Sequence, residues 1–178
     1  MSEERDLNIV VVCLDTKYGE KIAKLLAKAF DMFFLDSVAL YEFDIQPYTL
    51  SYVLKKFGEE YFRSQQEGTI KYVSTFSNTV ITVDSGAIMY QKNIDTLTKD
   101  GLIVYVKNST DKLYKFLCSY DYRSREEYNF YCLNKRELIA RDEVLSMVAE
   151  VVVDANYIKE EDCVGLIINE IQKYYGVK

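Results

Sequence analysis

The chain reads as an α/β protein of three layers, a five-stranded parallel sheet covered by helices on both faces. Two observations carry that expectation. Five short apolar runs recur along the chain: LNIVVVC at 7–13, MFFL at 32–35, TVITV at 79–83, LIVYV at 102–106 and VVV at 151–153. They are continuous rather than alternating, as in strands buried on both faces. The stretches between them carry helical periodicity, and strands alternating with helices build parallel sheets.

Taken in order, the first strand leads into a helix over about 18–30, where Ile22, Leu25, Leu26, Ala29 and Phe30 recur at helical spacing. The second strand follows at 32–35. Helical periodicity returns over 49–67 through Leu50, Val53, Leu54, Phe57, Tyr61 and Phe62, just after Pro47, the only proline and a residue favoured where helices begin. The third strand precedes a short helix near 90–98. Gly101 opens the fourth strand, residues 110–118 are helical, and a further helix carries Glu137 and Arg141. The fifth strand and a closing helix over 160–175 complete a single domain spanning 1–178. Residues 119–134 break the pattern. They are polar, charged and rich in tyrosine, and read either as a lid or as a long surface connection.

In such sheets ligands bind outside the carboxyl ends of the strands. Residues 14–20, 36–38, 84–87 and 107–110 therefore matter most. Composition narrows what they do. With 22 Lys+Arg against 28 Asp+Glu, the net charge is −6, unsuited to nucleic-acid binding that rests on neutralising phosphates. Histidine is absent, which excludes Ser-His-Asp and Cys-His catalysis and histidine metal sites; no metal centre is expected. Cys13, Cys118, Cys132 and Cys163 include no C-x-x-C pair. Cys13 and Cys163 lie in apolar runs and are expected to pack as small hydrophobes. The charged start at 1–6 and the lack of any apolar stretch near ~18 residues argue against a signal region or membrane span. The expected compartment is a reducing cytoplasm.

A first strand, a loop and a helix is where a phosphate-binding loop would sit. The second strand ends in Asp36-Ser37, Phe62-Arg63 falls in a helix, Asp84-Ser85-Gly86-Ala87 follows the third strand, and Arg141 lies ten residues before the last. In order and spacing this resembles shikimate kinase, a small member of the P-loop kinases, over nearly the whole chain. The resemblance implies a five-stranded sheet, a lid and transfer of the γ-phosphate of ATP to the shikimate 3-hydroxyl. A working loop reads G-x-x-x-x-G-K-[ST], its backbone N–H groups and lysine cradling phosphates and its hydroxyl holding Mg²⁺. Aligned on the preceding strand, this chain reads Cys13-Leu14-Asp15-Thr16-Lys17-Tyr18-Gly19-Glu20. Cys13 and Tyr18 stand for the two glycines, Gly19 for the lysine and Glu20 for the hydroxyl residue. Glu20 puts a carboxylate where phosphate oxygens belong, and Asp15 adds another. Like charges about 4 Å apart repel by roughly 4 kcal/mol at an effective dielectric of 20, about a thousandfold in affinity. Lys17 or Lys21 would have to reach in from beside the missing lysine to restore binding. Asp15 or Thr16 has a plainer role, capping the helix that follows.

The substrate side departs less. Arg63 and Arg141 match the family's two arginines for the shikimate carboxylate, a role suited to a guanidinium fork. Gly86 matches the last glycine of the family's Gly-Gly-Gly turn, with Asp84 and Ser85 in place of the others. Asp36 matches the carboxylate that helps organise Mg²⁺, whereas Val38 replaces the aspartate that meets the reacting hydroxyls. In the lid, Arg123 or Arg125 stands for the arginine that meets phosphate. Each residue also has a structural explanation: ion pairs with Glu59 or Glu67 for Arg63 and with Glu137 for Arg141, a turn for Gly86, and a helix cap for Asp36.

Three functions follow. One is a relative of the kinase without phosphotransfer, binding a small carboxylate or a protein partner and needing no cofactor. The second is an active kinase using Mg-ATP in a rearranged site. The third is an α/β scaffold, for which the 16 tyrosines and 9 phenylalanines leave interface surface, although most sit at core-compatible spacing.

Overall fold

A computed structural model of the chain describes residues 7–119 and 134–176. Arg123, Arg125, Cys132 and nearly all of the 119–134 segment lie outside the described residues. Five strands, β1 (Asn8–Cys13), β2 (Phe33–Asp36), β3 (Thr79–Val83), β4 (Gly101–Lys107) and β5 (Val151–Asp154), form one parallel sheet in the order β2-β3-β1-β4-β5. All six residues of β1 and all five of β3 are buried, as continuous apolar runs demand. The helices are α1 (Thr16–Phe30), α2 (Ser37–Asp44), α3 (Leu50–Val73), α4 (Gln91–Thr98), α5 (Thr110–Ser119), α6 (Lys135–Val148) and α7 (Glu160–Tyr174).

Alternation along the strands divides the core in two. Val11 and Cys13 of β1 and Val104 of β4 face Ile22 and Leu26 of α1 and Cys163 and Ile167 of α7. Val10, Val12, Ile103 and Tyr105 face the opposite way, toward Ile70 and Val73 of α3, Leu97 of α4 and Leu145 of α6. The result is the expected three-layer α/β/α arrangement. A third cluster, Tyr41, Leu50, Val53 and Phe62, joins α2 to the first half of α3 beside the edge strand β2. Among the described residues no helix is long and apolar enough to cross a membrane.

Several boundaries differ from the sequence reading. Helix α1 begins at Thr16 rather than 18, because the Asp15 side chain caps it. Strand β2 is shifted by one residue to end at Asp36, and β5 extends to Asp154. Helix α2 is the short helix that a cap at Asp36 implied; its apolar residues follow no clear period, and its start is fixed by Asp36. Helix α3 runs six residues past 67 because Gln66, Ile70 and Val73 continue its buried face. It is broken at Gly58, whose φ of 84° and ψ of 170° lie outside the helical region and suit only glycine.

Cys13 and Cys163 are buried. Burial pushes the Cys13 thiol up to about 12 and the Cys163 thiol up to about 11, so both are inert hydrophobes at neutral pH.

Candidate functional site at the carboxyl edge of the sheet

Strand β1 has β3 on one side and β4 on the other, so the topological switch point lies at its carboxyl end. Only Leu14 and Asp15 separate β1 from α1. The Asp15 side chain accepts from the Tyr18 N–H at 3.1 Å, and the Asp15 carbonyl accepts from the Gly19 N–H at 2.9 Å. A Cβ added to Gly19 would lie 2.7 Å from Cys13 Cβ, closer than real Cβ atoms approach, so helix and strand touch through this glycine. Tyr18 is buried beneath the connection. Its hydroxyl donates to the Ile158 carbonyl at 2.7 Å and its ring packs on Tyr157 with centroids 5.6 Å apart. That contact ties the start of α1 to the turn after β5, where Asn156 and Tyr157 are both left-handed. The side chain of Asn108 holds this turn, accepting from the Tyr157 N–H at 2.7 Å. Lys21 is engaged by Glu160 at the start of α7, donating to it at 3.1 Å.

A second group gathers after β3. The Asp84 carboxylate accepts from the Gly86 N–H at 3.0 Å and from Gln66 Nε2 at 3.3 Å. Arg63 arrives from α3 and Arg141 from α6, and the Nη1 atoms of both lie 3.2 Å from the point where a Gly86 Cβ would stand. That glycine is therefore needed for close approach, not for an unusual φ. Arg63 donates to Gln66 Oε1 at 3.0 Å and lies over the rings of Phe62 and Tyr90, 5.1 and 5.4 Å from their centroids. Its Nε lies 3.5 Å from Glu59 Oε1, an ion-pair distance without hydrogen-bond geometry. Glu67, the other expected partner, pairs with Lys71 instead. Arg141 donates to Ser85 Oγ at 3.0 Å, while Glu137 closes a capping box with Asn134. The ion pair expected between Glu137 and Arg141 is replaced by these contacts.

Between α1 and α2 the edge opens into a cleft of about 260 Å³, lined by Thr16, Lys17, Gly19, Glu20, Asp36 and Glu42 over a floor that includes Thr82. Asp36 caps α2 through Oδ1, accepting from the Val38 and Ala39 N–H groups at 2.9 and 3.2 Å. Glu20 pairs with Lys24, one turn along α1. The Glu42 carboxyl is held above its usual range, first by desolvation and second by the charge of Asp36. Among the described residues no three acidic or cysteine side chains are grouped to hold a metal ion.

The structure thus brings Arg63, Arg141 and Gly86 together, and places Thr16, Lys17, Gly19, Glu20 and Asp36 around a separate cleft. Sequence reasoning missed Gln66 and Tyr90 around the arginines and Thr82 and Glu42 in the cleft. Gln66 had a legible signal, lying one turn after Arg63 on the same helix face.

The family model described as shikimate kinase matches residues 20–172. The chain belongs to the shikimate kinase family. A shikimate kinase of Clostridium botulinum (strain Langeland / NCTC 10281 / Type F) is 25% identical over 172 residues, covering 96% of this chain and 99% of that one. A shikimate kinase of Thermodesulfovibrio yellowstonii is 25% identical over 166 residues, 93% and 95% of the two chains. Among solved structures, shikimate kinase from Aquifex aeolicus superposes with a TM-score of 0.77 at 19% identity, covering 95% and 98% of the chains. Shikimate kinase from Acinetobacter baumannii, solved in complex with shikimate, gives 0.75 at 21%, covering 94% and 93%. These superpositions show the shikimate kinase fold for this chain.

Proposed function

We propose that this member of the shikimate kinase family binds a small carboxylate at Arg63 and Arg141 and does not transfer phosphate from ATP. The observation that carries the reading is the β1–α1 connection. A phosphate-binding loop needs backbone N–H groups free to face an anion. Here the N–H groups of Tyr18 and Gly19 are taken by Asp15, and Gly19 is packed on Cys13. Glu20 stands where the magnesium-binding hydroxyl belongs. These residues do not fit Mg-ATP. The family match also begins at Glu20, past this connection. Convergence of two guanidinium groups beside Gly86 supports the carboxylate half of the reading. We place this work in a reducing cytoplasm, in keeping with the free, buried Cys13 and Cys163.

A second reading is an active kinase with a rearranged nucleotide site. Lys17 on the rim of the cleft favours it, as do relatives that are themselves named shikimate kinase. Thermal-shift titrations with Mg-ATP and, separately, with shikimate decide between the two. A ligand at 100 times its dissociation constant stabilises a fold by about 2.7 kcal/mol. The expected result is a rise with shikimate and none with Mg-ATP. A rise with Mg-ATP overturns the proposal, and a response to neither favours a scaffold that works through a protein partner.

A further inference from the structure

Taking the two arginines as the carboxylate site proposed above, we infer that the carboxylate they hold belongs to an amino acid, whose ammonium group is received by Asp84. Three charged side chains border one small volume here. Asp84 Oδ2 stands 2.7 Å, and the Nη1 atoms of Arg63 and Arg141 each 3.2 Å, from the point where a Gly86 Cβ would be. Despite this proximity, Asp84 forms no ion pair with either arginine among the described residues. The opposite charges are held apart, and the space between them suits a ligand that carries both signs on neighbouring atoms.

The spacing is built into the site. Gln66 is buried and bridges its two sides, Oε1 accepting from Arg63 Nη1 at 3.0 Å and Nε2 donating to Asp84 Oδ2 at 3.3 Å. The Gly86 N–H donates to the same Asp84 oxygen at 3.0 Å, and Arg141 Nη1 donates to Ser85 Oγ at 3.0 Å. Each charged side chain is thus fixed through one atom and open at another. Asp84 Oδ1 and the Nη2 atoms of both arginines have no partner among the described residues, and none of these three atoms is sealed from solvent as Arg63 Nε is. All three side chains are half-buried. The open guanidinium donors suit a carboxylate, and the open carboxylate oxygen suits an ammonium group.

Charge balance favours the same class of ligand. Glu59 lies 3.5 Å from Arg63 Nε and, with Asp84, offsets the two arginines. A plain carboxylate adds net charge to a balanced site and meets Asp84 as a like charge. A zwitterion adds none, and each of its ends finds the opposite sign. A lone cation in its place would face two guanidinium groups.

Calorimetric titration of the whole chain with two probes of one skeleton, cyclohexanecarboxylate and 1-aminocyclohexane-1-carboxylate, tests the inference at neutral pH and constant ionic strength. The amino acid is expected to bind the wild type roughly tenfold more tightly, the gain of one hydrogen bond between charged groups. Asp84→Asn keeps the size and removes the charge, and Asp84→Gly removes the side chain. In both variants most of the preference should disappear, and cyclohexanecarboxylate should bind at least as well as it does to the wild type. Equal affinities for the two probes in the wild type overturn the inference, as does a preference that persists in both variants. Arg141→Ala keeps the underlying reading separate, because it should weaken both probes. Cyclohexanecarboxylate bound equally well without Arg141, or neither probe bound by the wild type, brings down the carboxylate site itself and the inference with it.

Discussion

At the end of β1 the donors of Tyr18 and Gly19 turn back onto Asp15, whereas at the end of β3 the donors of Arg63 and Arg141 arrive from two distant helices and meet beside Gly86. The two places sit on the same edge of the same sheet, at the ends of neighbouring strands. They differ in what builds them. A cradle of backbone N–H groups depends on the path of the chain, and starting a helix a few residues early consumes the donors. A site made of side chains depends on the rotamers of residues held independently by α3 and α6. The second kind depends less on the residues of the turn itself, here Asp84 and Ser85 beside the arginines.

The largest effect should come from the side-chain site. Arg141→Ala removes one charged fork and should weaken shikimate binding by roughly tenfold to a hundredfold, the range for hydrogen bonds to charged groups. Calorimetric titration measures it, and an unchanged affinity would mean that the guanidinium groups merely pack beside Gly86. The next effect sharpens the contrast from the other side. Gly19→Ala forces a Cβ against Cys13 and should destabilise the protein by about 1–3 kcal/mol. Gly165→Ala, in α7 with open space around the position, should stabilise it by about 0.5–1 kcal/mol. Urea denaturation of the two variants gives the sign of each, and a matching sign would remove the claim that helix and strand touch at residue 19. The smallest effect belongs to the cap. Asp15→Ala should cost about 1 kcal/mol of stability; loss of nothing in the same assay would leave the early start of α1 unexplained.

The sheet was legible because its evidence is local. The run 102–106 is apolar and 79–83 is β-branched throughout, and short runs of this kind between helices suit strands buried on both faces. Of helix α2 only the Asp36 cap was legible; Tyr41 meets Phe62 of α3, 5.4 Å between ring centroids, and that contact is invisible in the order of residues. The arginines could be placed on the page only by likeness to a family; periodicity set them on helices, and tertiary packing set them beside Gly86. Asp15 was readable as a cap because capping is a matter of three residues.

The contact between Gly19 and Cys13 also orders the steps by which such a chain could change. A lysine at position 19 carries a Cβ that cannot stand 2.7 Å from Cys13 Cβ, so it is admissible only once position 13 has lost its side chain. Glycine at 13 alone opens a void beneath α1 and brings no anion-binding group with it. Each first step is harmful and only the pair is tolerable. Packing by itself therefore sets a valley between this sequence and one with a Gly-Lys loop, and lineages on either side would cross it rarely, whatever task the protein now performs.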